Sequence, residues 1–252
     1  TIVGALAGDA LTTGNNNVAI GYLALSSEDA GSNNVAIGTK ALTLMDAGAD
    51  AYNVAIGHNA GLNVSTGVRN TLIGGLAGDA LTTGNYNVAV GYTALGAEDN
   101  DGRNVAVGYA ALAAQNAGTA GYNTAVGFEA GLSVTTGTHN TLIGGLAGDA
   151  LNSGGGNVAI GTEALSAEDG HGRNIAIGVS ALKVQDAGTN AYNIAIGYEA
   201  GVAVTTGTLN TIIGGLAGDA LTTGSRNTVL GYSALSTEDT GGKAVAIGWK
   251  AL

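Results

Sequence analysis

Residues 17–25 read NVAIGYLAL, residues 34–42 read NVAIGTKAL and residues 87–95 read NVAVGYTAL. In each stretch an Asn precedes an apolar triplet that closes on Gly, and an Ala follows three residues after the Gly. A triplet rich in β-branched residues and ended by Gly reads as a short strand running into a turn. The Asn serves as position zero. It recurs at Asn17, Asn34, Asn53, Asn70 and onward to Asn227, and the units, counted from the partial one before Asn17, run 17, 17, 19 and 17 residues before the order repeats. Four units make one super-repeat, visible in the return of GGLAGDAL at Gly74, Gly144 and Gly214.

Such a period decides the architecture. Seventeen residues are too few for a helix pair or a propeller blade and suit one coil of a solenoid with about two short strands. The expected fold is therefore all-β, a parallel β-solenoid of about 15 coils spanning residues 1–252 as a single repetitive segment. Because the repeat is cut at both ends without a polar cap, the segment reads as a piece of a longer fibre. Identical residues should stack in ladders along the coils. The ladders of Asn17, Asn34, Asn53 and Asn70 and of Gly21, Gly38, Gly57 and Gly74 are expected to be structural, the asparagines bonding side chain to side chain. Two extra residues enter every third unit at DAGADAY, NAGTAGY and DAGTNAY, where a loop can absorb them.

Composition agrees with a thin cross-section. The chain has 45 glycines, no proline, no cysteine, and one each of Met, Trp and Phe, so aliphatic side chains supply nearly all of any core. Glycine without proline excludes a collagen helix, and the aliphatic content is too high for a disordered linker. With 8 basic and 19 acidic residues the net charge is −11, which disfavours nucleic acid and anionic membrane surfaces as partners. No apolar run approaches the length of a membrane span.

Side chains alternate across a strand, so positions +1 and +3 share one face and +2 takes the other. All three are apolar or Thr, which predicts burial on both faces and hence a covering chain on the second. Bulk at +2 (Ile2, Leu72, Leu142, Ile212) coincides with small residues at +5 (Ala5, Gly75, Gly145, Gly215), which suggests that the two positions share packed space.

The units NVAIGYLAL and NVAVGYTAL resemble the head repeats of YadA-like trimeric autotransporter adhesins, and the TTG-x-x-N-T-x-x-G form at residues 135–144 resembles repeats of phage tail-fibre and tail-spike proteins. The resemblance covers the whole chain. It implies a left-handed β-roll and three chains side by side. It also implies a place on a virion tail or bacterial cell surface and attachment to a host or matrix. On this reading the protein is a structural and attachment segment of a surface fibre, a homotrimer meeting a glycan or protein receptor, and no enzyme.

The chemistry-bearing residues fit that bland role. His58, His139 and His171 occupy three different repeat positions and are not expected to converge on a metal or a reaction. Glu28/Asp29, Glu98/Asp99, Glu168/Asp169 and Glu238/Asp239 recur once per super-repeat, with Asp101 beside the second pair. Calcium could use such oxygens, but the pairs lie four coils apart and read as solvated turn charge. Asp9, Asp79, Asp149 and Asp219 of LAGDAL are expected to cap turns through their own side chains. The nine tyrosines fall at +5 or at −1 only, and position −1 also carries Arg69, Arg103, Arg173, Arg226 and Lys243. Stacking Tyr on Arg favours cation–π contact. The row through Tyr52, Tyr86, Arg103, Tyr122, Arg173 and Tyr192 is the candidate binding stripe, and a glycan-binding module using it is the alternative function.

Overall fold

The computed structural model describes every residue except Asp101, so the carboxylate at that position lies outside the described residues. The chain forms two compact units, Thr1–Asn123 and Thr124–Leu252. The first carries β1 (Ile2–Val3), β2 (Val18–Ile20), β3 (Val35–Ile37), β4 (Val54–Ile56), β5 (Thr71–Ile73), β6 (Val88–Val90) and β7 (Val105–Val107). The second carries β8 (Thr124–Val126), β9 (Thr141–Ile143), β10 (Val158–Ile160), β11 (Ile175–Ile177), β12 (Ile194–Ile196), β13 (Thr211–Ile213), β14 (Thr228–Leu230) and β15 (Val245–Ile247). Within each unit every strand pairs in parallel with the next in sequence, and like repeat positions face each other, as in Val18↔Val35, Ala19↔Ala36 and Ile20↔Ile37. Each unit is a parallel β-solenoid, as the period predicts.

A coil carries one short strand where the repeat length suggested about two. The rest of the coil is turn, and its curvature comes from non-glycine residues at positive φ. Positions −1, +6 and +8 supply them, as at Arg69 (58°), Leu76 (58°) and Leu95 (56°). An L-residue there costs roughly 1 kcal/mol or more. Hydrogen bonds to the neighbouring coil offset that cost. Arg69 N–H donates to Ala51 C=O at 2.7 Å, Leu76 N–H to His58 C=O at 2.9 Å, and Leu95 N–H to Ala111 C=O at 3.0 Å.

The two structural ladders have different physical reasons. At position zero the Asn Oδ1 accepts the backbone N–H of the same position one coil on, at 2.9 Å for Asn53 to Asn70 and for Asn70 to Asn87 and at 2.8 Å for Asn227 to Ala244. In the 17-residue units its Nδ2 donates to a carbonyl of its own coil, as Asn53 to Gly67 at 2.8 Å and Asn70 to Gly84 at 2.9 Å. The ladder is thus side chain to backbone, and the expected side-chain to side-chain ladder is corrected. A buried amide spent this way satisfies backbone groups that the turns leave unpaired. At position +4 the backbones nearly touch. A Cβ on Gly57 (φ 143°) would stand 2.6 Å from the carbonyl carbon of Gly74, and one on Gly74 (φ 135°) equally close to that of Gly91.

The core is one side chain deep. Ala at +2 and +7 and Leu at +8 fill it, for example Ala36, Ala41 and Leu42, all fully buried. Where +2 is bulky the compensation falls at +8. A Cβ on Gly61 would meet Leu72 Cδ1 at 2.7 Å, and one on Gly78 would meet Leu72 Cδ2 at 2.8 Å. The expected exchange between +2 and +5 is therefore corrected, because +2 points inward while +5 points out, with Tyr92 51% and Phe128 54% exposed. Positions +1 and +3 also look outward and stay half-buried within the single chain. The extra residues of the longer units lie in turns, where Gly48 has no atom within 4 Å of an added Cβ.

Candidate functional site

Three outward rows run along each unit. The strand residues at +1 and +3 form an aliphatic band, bordered on one side by position −1 and on the other by +5. Alternation about the inward Asn and Ala puts them there. From Tyr52 to Tyr122 the −1 row of the first unit alternates ring and charge. Arg69 lies 5.4 Å from the centre of the Tyr86 ring, Arg103 lies 5.6 Å from it on the next coil, and Arg103 lies 5.7 Å from the ring of Tyr122. Arg69 Nη1 also donates to Tyr86 Oη at 2.8 Å. In the second unit Arg173 lies 5.5 Å from the Tyr192 ring and donates to its Oη at 3.0 Å. Tyr52 stands in the row of the first unit, half exposed, with its Oη 3.4 Å from Asp50 Oδ2. Each of the six stripe residues thus stands in the outward −1 row of its own unit. Along the +5 row Tyr92 and Tyr109 stack at 5.9 Å with planes 14° apart.

For the glutamates of three of the acidic pairs the expectation of solvated turn charge is corrected, whereas Asp29, Asp169 and Asp239 are exposed and Glu238 is half-buried. Glu28, Glu98 and Glu168 are fully buried. They stand at position +11, which faces the core, and the same position holds Met45, Val64, Leu81, Val134, Leu151, Val204 and Leu221 in other coils. Each buried carboxylate is met by donors. Glu28 Oε1 accepts Gly31 N–H at 2.6 Å and Oε2 accepts Ala47 N–H at 3.3 Å. Asn104 Nδ2 donates to Glu98 Oε2 at 3.3 Å, and Asn174 Nδ2 to Glu168 Oε2 at 3.5 Å. Asn104 and Asn174 open the longer units, and there the amide turns back to the Glu of the coil before.

Burial pushes the Glu168 carboxyl up to about 7, with His171 lowering it and the charges of Asp186 and Asp169 raising it further. His171 Nδ1 lies 3.4 Å from Glu168 Oε1. By sequence His171 is one of three scattered histidines. They indeed fall on separate coils, yet His171 has this specific acidic neighbour. No sequence signal marks Asp46 and Asp186 as site residues, but the stacking of coils brings them to the Glu–Asp pairs. Glu28, Asp29 and Asp46 form one group, and Glu168, Asp169, His171 and Asp186 form another, the ligand atoms of each within 4.8 Å of one another. Calcium takes six to eight oxygens. Here the buried carboxylates are already engaged by amides, so the groups are better described as capped turns than as an ion cage. At Asp79 burial raises the carboxyl, while its own amide and that of Ala80 oppose the rise, as a turn-capping role requires.

Among the described residues no helix is long and apolar enough to cross a membrane. Comparison with family models, with curated proteins and with solved structures found no match.

Proposed function

We propose that this chain is a non-catalytic structural and attachment segment of an extracellular surface fibre, of the tail-fibre or adhesin-head kind, and that it works as a homotrimer. The observation that carries the reading is the outward face of the strands. In both units +1 and +3 place a continuous band of Val, Ile and Thr beside rows of exposed aromatics, and Ile56, Val126, Ile143 and Ile196 each remain more than a third exposed. Burying about 25 cal/mol per Å² of such surface against further copies of the chain would stabilise an assembly. The inward face needs no second chain, because Ala and Leu already close it. Sedimentation at micromolar concentration should give a trimer, and charged substitutions on the band, Ile56→Lys with Ile143→Lys, should dissociate it without unfolding the coils. A stable monomeric wild type overturns the trimer.

The alternating Arg69–Tyr86–Arg103–Tyr122 row supports a second reading, recognition of glycans by stacking on exposed rings. Glycan binding that survives Tyr86→Ala and Tyr122→Ala removes that row from the function.

A further inference from the structure

The −1 row is interrupted in the second unit. Its successive residues are His139, Gly156, Arg173 and Tyr192, where the coils one super-repeat earlier hold Arg69, Tyr86, Arg103 and Tyr122. Gly156 thus stands where Tyr86 stands in the first unit. The backbone has not changed to make room, since φ is 71° at Gly156 and 62° at Tyr86. What is missing is the Tyr86 ring, together with the side chain of Asn85, whose place Gly155 takes. A Cβ on Gly156 would meet only Arg173 Cγ, at 3.9 Å, an ordinary contact. The resulting notch is a groove of about 390 Å³ whose walls include Thr138, His139, Ser153, Arg173 and Asn190.

The first unit shows what such a slot accepts. There a phenol ring lies between two cations at 5.4 and 5.6 Å, and its hydroxyl takes a hydrogen bond of 2.8 Å from Arg69. In the second unit the corresponding walls are the His139 imidazole and the Arg173 guanidinium. Arg173 has Tyr192 on one side of it, and Gly156 is its neighbour on the other. A guanidinium offers five N–H donors in a plane, and Arg173 Nη1 is the one given to Tyr192 Oη.

We infer that the Gly156 notch is a binding site for a phenol ring of the tyrosyl kind, stacked on Arg173 with its hydroxyl at His139. It is a site separate from the aliphatic band, and it stands whether or not the chain is a trimer. A ring and a saturated sugar differ here. The cation–π attraction of Arg173 needs a π face, and the hydroxyl needs to lie in the ring plane, as in Tyr86.

The test uses the intact chain and N-acetyltyrosinamide, followed by NMR. The ligand should shift the side-chain resonances of His139 and Arg173 upfield, through the ring current, in a saturable way. N-acetylalaninamide and methyl glucoside should not. Gly156→Tyr fills the notch from within and should abolish the shifts. Arg173→Ala should weaken binding roughly two- to five-fold, and it keeps the test decisive should Gly156→Tyr disturb folding. Tyr86→Gly opens the equivalent slot between Arg69 and Arg103 and should add a second binding event at those two residues. No saturable shift for the wild type overturns the inference, as does binding unchanged in Gly156→Tyr or in Arg173→Ala. Methyl glucoside shifting the same resonances equally well overturns the aromatic assignment. Failure of Tyr86→Gly to create a second site overturns the claim that the empty rung is what binds.

Discussion

Two consecutive coils hold Leu81 and Glu98 at position +11, and the same two coils hold Tyr86 and Arg103 at position −1. Both positions exchange an uncharged side chain for a charged one, but by different rules. Leu81 and Glu98 are both fully buried. The exchange is tolerated inside because Asn104, one coil on, turns its amide to the carboxylate. Outside, Tyr86 and Arg103 simply lie face to face at 5.6 Å. Interior rungs are constrained by specific partners in the adjacent coil, whereas exterior rungs of the −1 row accept rings, cations and an exposed Leu209 alike. A buried polar group without a partner costs about 1–3 kcal/mol, and an exposed one costs almost nothing.

The contrast can be broken most severely at position +4. Gly74→Ala should lower stability by about 3 kcal/mol or more in urea unfolding, since its Cβ would press on the Gly91 carbonyl at a φ that L-residues avoid. Gly48→Ala, at φ 62° with open space around it, should cost only about 1 kcal/mol. Equal costs would erase the distinction between inner and outer wall. Next in size, Leu72→Ala should cost about 3 kcal/mol, because Gly61 and Gly78 offer no side chain to refill the hole. Adding Gly78→Leu, which copies the Ala-and-Leu arrangement of Ala89 and Leu95 one coil away, should recover part of the loss.

The buried carboxylate comes third. Glu168 is raised to about 7 in the folded chain from an ordinary 4.5, so the folded state holds the proton more tightly. Its contribution is fully present below pH 4.5 and is lost as pH rises through about 7. Wild-type stability should fall across that window by on the order of 2 kcal/mol after partial solvent screening. Glu168→Gln should flatten the fall and be the more stable protein at pH 8, as the natural Gln115 and Gln185 at +11 suggest. Smallest of all, Tyr86→Ala removes two ring–cation contacts at the surface and should cost about 1 kcal/mol in the same unfolding measurement.

Much of the architecture is legible in the sequence because the repeat compares the chain with itself. Gly at +4 and Ala at +7 recur in every unit, and the structure supplies the reason: backbone approach at one, a thin core at the other. The expectation of a second strand per coil fails because the turning is done by Arg69, Leu76 and Leu95, ordinary residues whose positive φ no local signal betrays. The buried Glu escapes a local reading because Glu–Asp beside Gly looks like a polar turn. Its signal is nonetheless present, since aligning the units at +11 sets Glu28 and Glu98 among Met, Val and Leu. The acidic groups at Asp46 and Asp186 arise only when adjacent coils are stacked. The notch at Gly156 is visible as the one Gly of the −1 row, between His139 and Arg173, but its openness depends on what surrounds a missing Cβ.

Almost every ladder bond within a unit joins neighbouring coils at a sequence separation of 16 to 20, the Asn series from Asn34 to Asn53 and from Asn53 to Asn70 among them. Loop closure at that separation is cheap and the same at each step. Folding can therefore advance like a zip, one coil docking on the last as the chain leaves the ribosome, with no distant segment to wait for. By the same token a duplication or loss of one whole super-repeat meets matching rungs on both sides, so length is the property such a chain can change at least risk to its fold.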